Sequence, residues 1–86
     1  IKKIIMCLKE DNIIEAINLI ISIKKEGYSN IDICAIIHNE VLNNFSSDLA
    51  LKIHEVIGDY NKLFMEGYEN ILQLSDLLIK IKKFIE

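Results

Sequence analysis

The chain has 86 residues, of which 51% are hydrophobic, and a formal net charge of −3 at pH 7. This length holds at most one small domain, and such a domain buries only about 60–65% of the surface its unfolded chain exposes, so modest stability and a need for partners are expected. The acidic balance argues against a dedicated nucleic-acid surface, which clustered Lys and Arg would supply.

The small basic groups Lys24-Lys25 and Lys80, Lys82, Lys83 read instead as solvated helix edges or as charges near C-terminal helix dipoles. There is no run of about 18 uncharged apolar residues and no basic-then-apolar start with a small-residue cleavage site, so a soluble intracellular protein is expected. The first residue is Ile1, and Ile1, Ile4, Ile5 and Leu8 already stand at helical spacing. The chain is therefore expected to begin inside or just before a helix, as a fragment of something longer. Cys7 and Cys34 each sit among apolar residues and read as buried reduced thiols.

The first helix is predicted over about Ile1 to Lys9, and Glu10-Asp11-Asn12 breaks it. Asn12 with Glu15 three residues on resembles a capping box and opens a second helix, with Ile13, Ile17, Ile20 and Ile21 inward. Lys24 and Lys25 complement the dipole in its last turn, and Gly27 stops it. Ser29 followed by Asp32 is the next cap signal, and Ile33, Cys34, Ile37, Val41 and Phe45 mark the inner face of a third helix.

Asn43 to Asp48 forms the following connection, with Ser46 or Ser47 as N-cap and Asp48 in the first turn. Leu49, Ile53, Val56 or Ile57, Tyr60, and Leu63 or Phe64 then recur every three or four residues, one stripe of a fourth helix that ends at Glu66-Gly67. Beyond it Ile71, Leu74, Leu78, Ile81 and Ile85 form a stripe, while Leu72, Leu77, Ile79 and Phe84 spread the apolar surface further. A helix this apolar needs neighbours on two sides. Isoleucine alone would favour strands, but the persistent helical spacing and well-placed caps outweigh that preference, so the fold class is all-α, a compact bundle of about five helices in a single domain over residues 1–86.

The search for chemistry is largely negative. Gly27, Gly58 and Gly67 are isolated, so no phosphate loop is formed. His38 and His54 lie on different helices, no helical Glu-x-x-His pair occurs, and both histidines are expected to be ordinary surface or half-buried residues. Asp59, Glu66 and Glu69 flank a helix break, where helix-start and solvent roles account for Glu66 and Glu69, and the alternating oxygen ligands of a calcium loop are missing. No catalytic, cofactor-binding or metal-binding constellation is read. Gly58, inside a helix at a cost of about 1 kcal/mol relative to alanine, suggests either a mild kink or the close approach of another helix.

Gly27-Tyr28-Ser29, Asp32-Ile33, Leu51-Lys52, the run Glu55 to Asn61, Glu66-Gly67 and the run Leu72 to Leu78 together resemble the C-terminal domain of a replication factor C small subunit, most like the subunit numbered two. The resemblance covers about Cys7 to Ile81. It implies a five-helix unit that packs beside its counterparts into the collar of a hetero-pentameric clamp loader. The ATPase modules of that complex use ATP and magnesium to place the sliding clamp on primer–template DNA in the nucleus. On this resemblance the nucleotide site belongs to another part of the parent subunit, so the fragment itself would hold no cofactor, have no ATPase activity, contact no membrane and bind nucleic acid at most weakly.

A small acidic helical domain with surplus apolar surface agrees with an interaction module. Gly58, Tyr60, Phe64, Leu74, Leu77, Leu78, Ile81 and Phe84 are the residues expected to share core and subunit-interface duties. Two other readings are a stand-alone helical adaptor or dimerisation module, and an enzyme fragment contributing to a distant active site.

Overall fold

The computed structural model describes residues 3–68 and 70–86. Ile1 and Lys2, where the first helix was expected to start, and Glu69, read as a helix-start residue, lie outside them. Five helices follow in order: α1 (Ile4–Lys9), α2 (Ile13–Lys25), α3 (Asn30–Asn44), α4 (Ser47–Met65) and α5 (Ile71–Ile85). No strand occurs among the described residues, and the fold is an all-α bundle of 30 × 25 × 18 Å.

A six-residue helix is too short to persist by itself. α1 is held by burial of Ile4, Ile5, Cys7 and Leu8, and by two ties to α3. Its N-terminal amide at Ile5 has no local cap and donates instead to Glu40 Oε1 at 2.9 Å, while Lys9 Nζ donates to the Asn44 carbonyl at 2.9 Å and lies 4.8 Å from the Phe45 ring centroid. Asp11 turns the chain at φ 60°, and the amide of Asn12 donates to the Cys7 carbonyl at 2.8 Å.

Because that amide is already engaged, the cap of α2 differs in form from a capping box. Asn12 Oδ1 accepts from the Glu15 amide, and the Glu15 carboxylate takes its bond from the Asn12 side-chain amide. The full box appears at α3, where Ser29 Oγ accepts from the Asp32 amide and the Ser29 amide donates back to Asp32 Oδ2. Ser46 caps α4, and Asn70, which the sequence did not single out, caps α5 by accepting from the Leu72 amide at 2.9 Å.

α4 ends where a left-handed residue is required. Gly67 has φ 101°, its amide donates to the Phe64 carbonyl and the Tyr68 amide to that of Leu63, the paired bonds of a Schellman turn. Gly27, at φ 103°, closes α2.

The core draws on all five helices. α5 packs against α1, α2 and α4, and α3 and α4 form the most extensive seam. α3 buries Ile33, Cys34, Ile37 and Val41, with Phe45 packed against the cluster, and α4 buries Ala50, Ile53, Ile57, Tyr60 and Phe64. Ile57 and Phe64 thus take the inner places, leaving Val56 half-buried and Leu63 exposed. Ile21 is a correction, because it stands 37% exposed while Ala16 lies buried beside Ile20. Ala16 is one turn before Ile20 on the same face, whereas Ile21 stands about 100° round the helix from Ile20, away from Ala16.

Candidate functional site

Leu74, Leu77, Leu78 and Ile81 are fully buried in the protein's own core, and Tyr60 and Phe64 are buried beside them. Each fully buried Leu or Ile contributes about 1.5–3 kcal/mol, so these residues build the bundle. The apolar side chains that α5 leaves outside are Leu72 at 69% exposure, Ile79 at 43% and Phe84 at 39%. Leu72 and Ile79 are two turns apart on the outward side, and Phe84 turns toward α4, where it lines a shallow recess of about 240 Å³ with Val56, Lys80 and Lys83.

This face is anchored by a polar tie between α4 and α5. The Tyr60 hydroxyl donates to Asp76 Oδ2, and Lys80 Nζ stands 3.7 Å from the same oxygen and 5.0 Å from the Tyr60 ring centroid. Burial, then the bond to Asp76, pushes the Tyr60 phenol above its ordinary pKa. In the last turn of α5, Lys82 pairs with Asp11 and with Glu86, joining the helix to the α1–α2 turn.

A second feature lies across the α3–α4 seam. The rings of His38 and His54 meet with centroids 3.9 Å apart and planes inclined by 33°. They line a groove of about 400 Å³ together with Cys34, Asn39, Gly58 and Asn61. Both ring nitrogens of His54 are shielded from solvent without a hydrogen-bond partner, and burial, then the neighbouring His38, lowers its pKa. Cys34 is 2% exposed, and burial pushes its thiol up to about 11, so it stays protonated at neutral pH and is a poor nucleophile.

Gly58 is exposed, and a Cβ built there would meet nothing within 4 Å. Among the described residues no other helix therefore approaches Gly58 closely. Gly58 belongs to the wall of the groove, on the side of α4 turned away from the core.

The family model of the replication factor C C-terminal domain matches residues 1–80. The chain belongs to the replication factor C C-terminal domain family. No curated protein and no solved structure matches it.

Gly27 and Gly67 close helix ends and Gly58 lies within α4, and among the described residues no three His, Cys, Asp or Glu side chains gather as a metal site. No helix among them is long and apolar enough to cross a membrane. Sequence reasoning missed the meeting of His38 and His54, which depends on how α3 crosses α4. The one local signal was Cys34, a single helical turn before His38. It also missed Glu40, a buried carboxylate whose pKa burial raises although the Ile5 amide bond opposes the rise.

Proposed function

We propose that this replication factor C C-terminal domain is an oligomerisation module that holds its parent subunit in the collar of a hetero-pentameric clamp loader. The match to the family across residues 1–80 carries the reading. In it, the whole of residues 1–86 acts as one domain. The ATP and magnesium site lies elsewhere in an ATPase parent. The assembled complex, in the nucleus, loads the sliding clamp onto primer–template DNA, while this domain itself binds neither nucleotide nor membrane.

The exposed apolar surface supports the same reading and suggests where the subunit contact forms. Leu72 and Ile79 present apolar area on the outward side of α5, and Phe84 and Val56 line a recess toward α4 with Lys80 and Lys83, while Leu74, Leu77, Leu78 and Ile81 hold α5 in register from behind. A stable contact takes roughly 800 Å² from each partner. That is roughly 15% of the 5245 Å² surface of this chain, more than three exposed side chains of one helix supply, so in this reading the contact extends from α5 onto α4.

The test is co-expression with the other replication factor C subunits of the same source, comparing the wild-type chain with Ile79→Asp. Stoichiometric co-purification that Ile79→Asp weakens, with helicity unchanged, supports the proposal. A folded chain that ignores those subunits and forms a defined homo-oligomer makes it a stand-alone interaction module instead.

A further inference from the structure

The contact between His38 and His54 crosses the seam of α3 and α4 and is independent of the α5 face and of the assembly reading. We propose that this stacked pair is a pH-sensitive latch: with both imidazoles neutral it holds α3 against α4, and uptake of a proton by His54 parts the rings and loosens the seam.

Geometry carries the argument. The ring centroids stand 3.9 Å apart with planes inclined by 33°, so the imidazoles meet along their faces. His38 is exposed, whereas His54 is half-buried, with both ring nitrogens shielded from water and without a hydrogen-bond partner. A neutral imidazole leaves one N–H donor unpaired in that place, but an imidazolium leaves two, together with a charge that no water solvates. A cation on His54 is relieved by leaving the stack for solvent. Where His38 is already charged, repulsion between the two rings adds to this. Burial, then the neighbouring His38, lowers the pKa of His54 in the same sense. Ile37 and Ile53, next to the two histidines in sequence, are fully buried, and α3 and α4 form the most extensive seam of the fold, so parting the rings disturbs core packing directly.

No compensating anion faces the pair. From α3 the groove takes Cys34 and Asn39 and from α4 Asn61, with no Asp, Glu or Lys among the described residues that line it. Cys34 stays a neutral thiol, pushed up to about 11 by burial. Asp32 of α3 and Lys52, Glu55 and Asp59 of α4 are exposed to solvent. Glu40 of α3 is held by the Ile5 amide, Lys9 of α1 by the Asn44 carbonyl, Lys24 of α2 by Asn30, and Asp76 and Lys80 of α5 by Tyr60.

The experiment compares urea unfolding of the full chain with that of His54→Phe, which keeps a ring in the stack but cannot titrate, between about pH 5 and 7.5. In the unfolded chain a histidine titrates near about pH 6.5, so below that value the unfolded state takes up a proton that folded His54 refuses. The contribution to stability is complete above the unfolded pKa and is lost as pH falls toward the folded one. The folding equilibrium constant of the wild-type chain should therefore drop, relative to His54→Phe, by up to about tenfold per pH unit. Glu40 titrates in both proteins, so its effect leaves the difference. A second measurement needs no substitution. The chain has only two histidines, and on acidification the His54 ring signal in NMR should move along one curve with the backbone amides of the α3–α4 seam. Equal pH dependence in the wild-type chain and His54→Phe, or a His54 ring that titrates while the seam amides stay still, overturns the proposal.

Discussion

The hydroxyl of Tyr60 on α4 donates to the carboxylate of Asp76 on α5, and Lys80 closes over the same pair. Tyr60→Phe keeps the buried ring and deletes only this bond. A hydrogen bond to a charged group contributes about 1.5–3 kcal/mol, but the Asp76 side chain is 56% exposed, so solvent screening reduces this one. We expect a loss of about 1 kcal/mol in urea unfolding. Adding Asp76→Ala to Tyr60→Phe should cost less than the two single losses together, as for any directly coupled pair. Strict additivity would show that the bond contributes nothing.

The two sides of α5 should respond in opposite ways. Leu77→Ala opens a cavity in the core and should cost about 2–5 kcal/mol, whereas Leu72→Ala on the outer face should leave the isolated chain within about 0.5 kcal/mol of wild type. Thermal or urea unfolding of both variants checks this. Comparable losses at the two positions would mean that Leu72 is also packed.

Helix ends offer a local test. Ser29→Ala removes the capping oxygen of α3 and should cost about 1 kcal/mol. Gly67→Ala should destabilise as well, although a Cβ there meets nothing, because φ 101° strains any residue that has one. A stabilised Gly67→Ala protein would show that this turn readily relaxes.

Glu40 sets a pH dependence. Burial raises its carboxyl pKa above the unfolded value, so the folded state retains the proton over a window in which the unfolded chain has released it. Its contribution to stability is complete below the unfolded pKa and is lost as pH rises through the folded one. Glu40→Gln keeps an oxygen for the Ile5 amide and removes the charge. Unfolding free energy measured between about pH 4 and 8 should therefore fall less steeply with rising pH in Glu40→Gln than in wild type. Parallel slopes would show that Glu40 ionises in the folded protein at no cost.

Much of this fold was legible because its signals are local. Asn12, Ser29 and Ser46 cap helices through bonds to residues three positions away, and Gly27 and Gly67 end them through their own backbone angles. Helical spacing also placed Ile33, Ile53, Leu74 and Ile81 inward. Spacing placed Ile21 inward with Ile17 and Ile20, whereas the neighbouring helices cover the Ala16 side of that arc, which local spacing does not reveal. Nor could it join residues distant in sequence, such as Ile5 with Glu40 or His38 with His54. The groove was invisible for that reason, while the division of α5 into core and outer residues needed the positions of α1, α2 and α4.

The central claim is that this domain assembles with other replication factor C subunits. The most direct measurement is the native mass of the complex recovered when the chain, within its parent subunit, is combined with those subunits from the same source. The account predicts a hetero-pentamer with one copy of this chain, which loses the chain when Leu72 and Ile79 are both replaced by Asp. A folded chain found only as a monomer or a homo-oligomer in that mixture would contradict it.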